Sequence, residues 1–291
     1  MLLCLNADMI GLDGSLMQQI EAAHMYGFQA VDLSIASSVD TAKLRDALVQ
    51  ARIEPGSAGG LLPFRFMVPD REWEEIVDAL PLRLAVAAAI GFRRTTSVVL
   101  PFHDTLGYRE CFDLHIRRLR RILPMLAEQG FRLGLEYVSP RTRRADQPHP
   151  FLHSLAGLLE LLDTLAASEI GVLLDSFHWY CAQESASAIR SLGDRLVAVH
   201  VNDALSGRII DEQLATERDL PGSTGVIPLR EFMEALQGAG YKGPVVAEPM
   251  NAALNRLSPD EKLRSVRRAM GNCLALASGG LRRAEYVPCA G

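Results

Sequence analysis

Four apolar runs after residue 130 each end on a side chain able to bind a metal ion or carry a proton. They read Leu133-Gly134-Leu135-Glu136, Leu173-Leu174-Asp175, Val199-His200-Val201-Asn202-Asp203 and Val245-Val246-Ala247-Glu248. One acid after an apolar run is ordinary, because Asp and Glu cap helices and fill loops. Four such ends in succession are harder to explain as caps. If Glu136, Asp175 and Glu248 met at about 4 Å, each pair would repel by roughly 4 kcal/mol at an effective dielectric near 20. Together the pairs come to about 12 kcal/mol, comparable with the whole stability of a domain at about 5–15 kcal/mol. The carboxylates must then protonate, spread apart or bind a cation. Three oxygen donors and one imidazole, His200, suit a single Mn²⁺, Mg²⁺ or Co²⁺ ion. Manganese is the first expectation, and Zn²⁺ is the remaining candidate.

Other side chains near these ends could touch a substrate. His178 lies three residues past Asp175, and Asn202 and Asp203 follow His200 directly. A hydrogen bond that orients His200 is as good a role for the last two as substrate contact. His103, after Val98-Val99-Leu100, is balanced between loop residue and substrate contact. Phe64, Phe66, Phe177 and Trp179 could wall a pocket, although aromatic side chains more often fill cores. Arg141, Arg143 and Arg144 read first as a solvated loop.

The elements that must position these residues follow from the hydrophobic pattern. Strands are expected at Leu2–Asn6, Ala30–Ile35, Ile53–Ala58, Thr95–Leu100, Arg132–Glu136, Gly171–Asp175, Leu196–Asn202 and Pro244–Glu248. Several are apolar without alternation, as for strands covered on both faces. Amphipathic stretches separate them. Leu16–Tyr26 closes at Gly27 and Leu229–Ala239 at Gly240, while Tyr108–Gln129 is longer. Eight strands alternating with helices predict a parallel α/β architecture. An open doubly wound sheet is the competitor, but no G-x-G-x-x-G follows the first strand. A closed (β/α)8 barrel would gather the polar strand ends at one mouth, where barrel enzymes carry their chemistry. With 291 residues and no linker, one barrel over 1–278 and a polar tail over 279–291 are expected.

Composition narrows the function. Hydrophobic residues make up 48%, enough for a large core, and the net charge of −5 argues against a nucleic-acid partner. The five cysteines are scattered and odd in number, which argues against a disulfide framework or zinc knuckle. The short apolar start is interrupted at Asn6 and Asp8, so it reads as a strand rather than a leader; a cytoplasmic protein with no membrane span is expected.

The segments around Glu136, Asp175 to His178, His200 to Asp203, Leu220-Pro221-Gly222-Ser223-Thr224-Gly225, and Gly240-Tyr241-Lys242-Gly243-Pro244 to Glu248-Pro249 resemble the sugar phosphate isomerase/epimerase superfamily, the xylose isomerase-like TIM barrels. The resemblance is strongest from about Leu119 to Glu248, and Ala23–Leu33 also fits it. It implies that Glu136, Asp175, His200 and Glu248 bind one metal ion and that both glutamates move protons. His178 would contact the substrate, with Arg208 the nearest match to a substrate-binding arginine past the metal histidine. The implied reaction is isomerisation or epimerisation of a small carbohydrate-like substrate (a sugar, keto-sugar or cyclitol) through a metal-stabilised enediolate. A lyase, dehydrating or cleaving a keto-glycoside at the same site, is the alternative. An apurinic-type endonuclease is less favoured, because the loops Ala36-Ser37-Ser38 and Gly59-Gly60-Leu61 carry no histidine. A non-enzymatic binding barrel is disfavoured by the intact ligand positions. The sequence leaves open a homo-oligomer.

Overall fold

The computed structural model describes residues 1–277. The tail expected over 279–291 lies outside the described residues, as do position 278 and Cys289. The barrel strands are β1 (Leu2–Asn6), β2 (Ala30–Ser34), β3 (Glu54–Gly59), β4 (Arg94–Val99), β5 (Arg132–Tyr137), β6 (Ile170–Asp175), β7 (Leu196–Val201) and β8 (Pro244–Ala247). All pair in parallel, in the order β3-β2-β1-β8-β7-β6-β5-β4. Each lies within a residue or so of its expected span.

The sheet closes on itself at the β3/β4 seam without a regular ladder. There the Thr95 hydroxyl donates to the Ala58 carbonyl at 2.9 Å, and Ser97 donates to that of Pro63 at 2.8 Å. The Val98 amide donates to the Phe64 carbonyl at 2.8 Å. The structure is thus a single (β/α)8 barrel.

The helices between strands are α1 (Leu16–Met25), α2 (Thr41–Ala51), α3 (Asp70–Ile90), α4 (Tyr108–Glu128), α5 (Leu155–Leu165), the short pair α6 (Ser176–Cys181) and α7 (Ala186–Arg190), α8 (Leu229–Gly238) and α9 (Pro259–Ala277). Local sequence explains their ends. Ser15 and Gln18 form a reciprocal capping box at the start of α1. Gly27 and Gly240, just past α1 and α8, take φ of +72° and +77°, the left-handed conformation that ends a helix cheaply in glycine. Among the described residues, no helix is long and apolar enough to cross a membrane.

Side-chain direction follows from register, because residues paired laterally in a sheet share a face. Leu3, Val245, Val199 and Leu174 are in register and all belong to the large core between barrel and helices. The next register row is Cys4, Val246, His200 and Asp175, and it therefore faces the lumen. Cys4, Ala30 and Val246 form a small cluster of their own there. The apolar strands thus build the outer core while alternate positions carry polar groups inward. Cys4, Cys111, Cys181 and Cys273 are all buried free thiols.

Candidate active site

β5, β6, β7 and β8 end side by side at the C-terminal mouth. Glu136, Asp175, His200 and Glu248 each offer one ligand atom there, all within 4.8 Å of one another. The first three are buried, and the Glu248 side chain is only 13% exposed. His200 Nδ1 lies 3.3 Å from Glu248 Oε2 and 4.0 Å from Glu136 Oε1.

Asp175 combines the cap and site readings that its position suggests. One oxygen, Oδ1, accepts the amides of Phe177 at 2.7 Å and His178 at 3.0 Å, capping α6. The other, Oδ2, accepts from the Asn202 side-chain Nδ2 at 2.9 Å and faces Arg218 Nη1 at 3.3 Å. Asn202 therefore orients Asp175 rather than His200. The register explains this: Asp175 pairs with His200, so the residue two further along β7's line sits beside the aspartate on the same face.

His178 stands at the cluster as expected. Donors face both ring nitrogens: the Ser139 amide lies 3.4 Å from Nδ1, and Arg218 Nη2 lies 3.5 Å from Nε2. That Nε2 lies 4.0 Å from Glu136 Oε1. Burial, then the nearby Arg218 charge, hold the His178 pKa well below its ordinary value, so the ring stays neutral.

The site's arginine is Arg218, and the sequence reading missed it. Its side chain is 4% exposed, and Nη1 donates to Glu248 Oε2 at 2.8 Å. Nε donates to the Ala215 carbonyl at 2.8 Å, and the guanidinium lies 5.0 Å over the Phe177 ring. Arg208, the expected candidate, instead pairs with Glu217 at 2.6 Å.

The reason for the exchange lies in Asp203. Its carboxylate accepts the amides of Thr224 at 3.1 Å, Gly225 at 2.8 Å and Ile227 at 2.9 Å. Its backbone exchanges two hydrogen bonds with Asp219, at 2.9 and 2.8 Å. The loop after β7 is thus drawn back to its own strand end, delivering residue 218 to the mouth while residue 208 stays on the outer excursion. The Asp203 side chain is spent on this work. His103 likewise serves its own loop, with Nδ1 accepting the amides of Thr105 at 3.0 Å and Leu106 at 2.9 Å. Phe66, Phe177 and Trp179 are core, whereas Phe64 is 73% exposed. Arg141 pairs with Asp211 at 2.9 Å.

Charge accounting is informative. Burial first, and then Glu248 and Asp175, raise the Glu136 pKa well above the carboxylate range. Burial also raises Asp175, against the pull of Arg218. Burial opposes ionisation of Glu248 too, but Arg218 and His200 outweigh it and hold that carboxyl below its usual range. Burial disfavours a charged His200, yet Glu248, Glu136 and Asp175 push it up to about 9. The protein alone thus compensates its acids by holding protons and one guanidinium. Glu136 Oε1 is buried with no hydrogen-bond partner. An oxygen-rich set with an orphaned carboxylate oxygen fits a divalent ion. With a neutral His200, such an ion and Arg218 would together neutralise all three carboxylates.

Comparisons with known proteins agree with this architecture. The family described as xylose isomerase-like TIM barrel matches residues 20–273. Inosose isomerase of Bacillus subtilis (strain 168) is 20% identical over 198 residues, covering 67% of this chain and 67% of that protein. A xylose isomerase domain protein from Alicyclobacillus acidocaldarius superposes with a TM-score of 0.84 at 28% identity, covering 95% of this chain and 99% of that one. The IolI protein, in a crystal structure with a bound zinc atom, gives 0.80 at 17% identity over 94% and 98% of the two chains. The last likeness, at that identity, is one of fold. The chain belongs to the xylose isomerase-like TIM barrel family.

Proposed function

We propose that the protein is a divalent-metal-dependent isomerase or epimerase of a sugar, keto-sugar or cyclitol. One observation carries the reading: three carboxylates and an imidazole from successive strands converge within 4.8 Å around a carboxylate oxygen that has no partner. The similarity to an inosose isomerase supports the substrate class. Glu136, Asp175, His200 and Glu248 would hold the ion, with Mn²⁺ favoured by the donor set and Mg²⁺, Co²⁺ or Zn²⁺ as the other candidates. The zinc in the IolI structure supports a dication in this fold.

When bound, the ion supplies Lewis acidity that makes the C–H beside a substrate carbonyl acidic and spreads the charge of the resulting enediolate. The chain's own residues do the rest. Glu136 and Glu248, whose strands are separated by two others, act as a pair of bases. One accepts the C–H proton. The other returns a proton to the opposite face, giving an epimer, or a proton goes back to the neighbouring carbon, giving an isomer. His178, a neutral ring beside Glu136 and Arg218, hydrogen-bonds the substrate. Arg218 offers its remaining donors and positive charge at the same place, taking the role expected of Arg208. Burial of the cluster keeps bulk water from competing.

The test is incubation of metal-loaded protein in D₂O with inososes, ketoses and hydroxy-keto acids, followed by mass spectrometry. Deuterium uptake without mass loss is expected. Loss of water or of an aglycone would replace the reading with a lyase at the same residues. Absence of exchange across the panel with all four metals would overturn it.

A further inference from the structure

One cavity at the opposite end of the barrel is lined by more cations than acids. Arg93 precedes β4, Arg94 begins it, Arg132 begins β5, and Lys242 stands just before β8. All four line one cavity of about 410 Å³ at the N-terminal end, together with Tyr241 and a glycine-rich rim. Two acidic residues, Glu54 and Asp194, share the lining. The arginines that are tied down are tied to neutral groups. Arg93 donates to the carbonyls of Ala88 at 2.9 Å and Phe92 at 2.6 Å, and Arg132 donates to those of Ser168 at 3.3 Å and Asp194 at 2.6 Å. Such bonds orient a guanidinium without cancelling its charge.

Among the described residues, the Arg94 and Lys242 side chains make no hydrogen bond or ion pair, and the Glu54 and Asp194 carboxylates make none either. Burial and then the Arg94 charge lower the Arg132 pKa, so the two guanidiniums feel each other. The logic that calls for a cation at the acidic mouth therefore calls for an anion here. Four cations line the pit against the carboxylates of Glu54 and Asp194, and Glu169 nearby offsets part of the Arg132 charge, which still leaves a positive excess that an anion would balance. Guanidinium forks with free N–H donors match the oxygens of a tetrahedral oxyanion, and an ammonium adds a point charge.

We propose that this pit binds a phosphate group, at a site separate from the metal-ligand cluster. The group can belong to free phosphate or to a phosphate ester, since the recognition chemistry is shared. A ligand that binds only the folded chain stabilises it, so occupancy is read as a melting shift.

The experiment uses the full chain with a chelator present, so that phosphate finds no ion at the mouth. Melting is followed in inorganic phosphate, in glucose 6-phosphate, and in sodium chloride at matched ionic strength. A saturable rise in Tm with phosphate or the ester, not given by chloride, is expected. Combined Arg94→Gln and Lys242→Gln substitution should weaken the apparent affinity at least tenfold, while Arg94→Lys retains most of it. Glu136→Gln, which alters only the mouth, should leave the phosphate response intact. Tenfold tighter binding of the ester would mark an ester as the ligand, and equal binding would mark the free ion; either supports the site. An equal shift in matched chloride, or an undiminished response in the double variant, would overturn it. Neither result depends on the metal reading of the mouth.

Discussion

The barrel lumen buries acid in two places and handles it in two ways. On β2, Asp32 is a single carboxylate, 7% exposed. Its oxygens accept the Ser57 amide at 2.6 Å, the Cys4 thiol at 3.2 Å and the Asn6 side-chain amide at 3.4 Å. Gly56 makes room for it, because a Cβ there would stand 2.2 Å from Asp32 Oδ1. All of these direct donors are neutral. Across the lumen, Glu136, Asp175 and Glu248 share one centre and face Arg218 and His200. One buried carboxylate can be satisfied by neutral hydrogen-bond donors. Three together repel more strongly than neutral donors can offset, so positive charge or protons must enter. That difference in number is what makes one cluster a structural knot and the other a candidate cation site.

The comparison can be broken most sharply at the glutamates. Glu248→Gln or Glu136→Gln removes a base and a metal charge without changing volume, and should cost about 10³-fold or more in turnover. Circular dichroism should show the fold intact. Steady-state rates within a few-fold of wild type in both variants would show that the acids are not the working groups. Next comes Arg218→Met, which leaves Asp175 and Glu248 without their guanidinium. The metal-free protein should lose about 3–5 kcal/mol in urea unfolding, and less of that once Mn²⁺ is added. An equal loss with and without metal would mean that the arginine is packing rather than charge compensation. Asp203→Ala should cost about 1–3 kcal/mol by leaving loop amides unpaired, and should lower turnover along with it by releasing Arg218. Unchanged kinetics would separate the tether from the site.

The smallest effect is expected at Asp32. Burial, partly offset by the Ser57 amide and the Cys4 thiol, raises its pKa above the ordinary 3.8. A carboxyl with a raised folded pKa contributes stability that is fully present below the ordinary value and lost as pH climbs through the raised one. The stability of wild type relative to Asp32→Asn should therefore decline as pH rises from the ordinary aspartate range. A flat difference would mean that folding leaves the Asp32 pKa unshifted, its neutral donors fully offsetting the cost of burying its charge.

Much of this was legible in the sequence because the barrel repeats a local rule. An apolar run followed by a polar end marks a strand and its mouth residue together, so the strands and the converging Glu136, Asp175, His200 and Glu248 could be found without coordinates. What stayed hidden depends on contacts between distant segments. Arg208 looked closer to His200 along the chain, but the backbone exchange between Asp203 and Asp219 puts Arg218 at the mouth instead. The usable clue was Arg218-Asp219-Leu220-Pro221-Gly222, an arginine just ahead of a turn already noted in the resemblance. Asp203 and His103 carried plausible polar chemistry, yet backbone amides consume their acceptors, and a residue's spelling does not reveal who occupies its lone pairs. Asp32 was visible only as part of a strand, since its burial needs Gly56 from the next one.

The Asp203–Asp219 staple also separates how long the β7 loop is from where its useful residue ends up. The outer part of the excursion, residues 206–212, lies inside that fixed crossing point and apart from Ala215, whose carbonyl holds the guanidinium, so it can be lengthened, shortened or rewritten while Arg218 keeps its address. A barrel organised this way has a region in which loop sequence and length can change while the carboxylate–imidazole cluster stays insulated from the change.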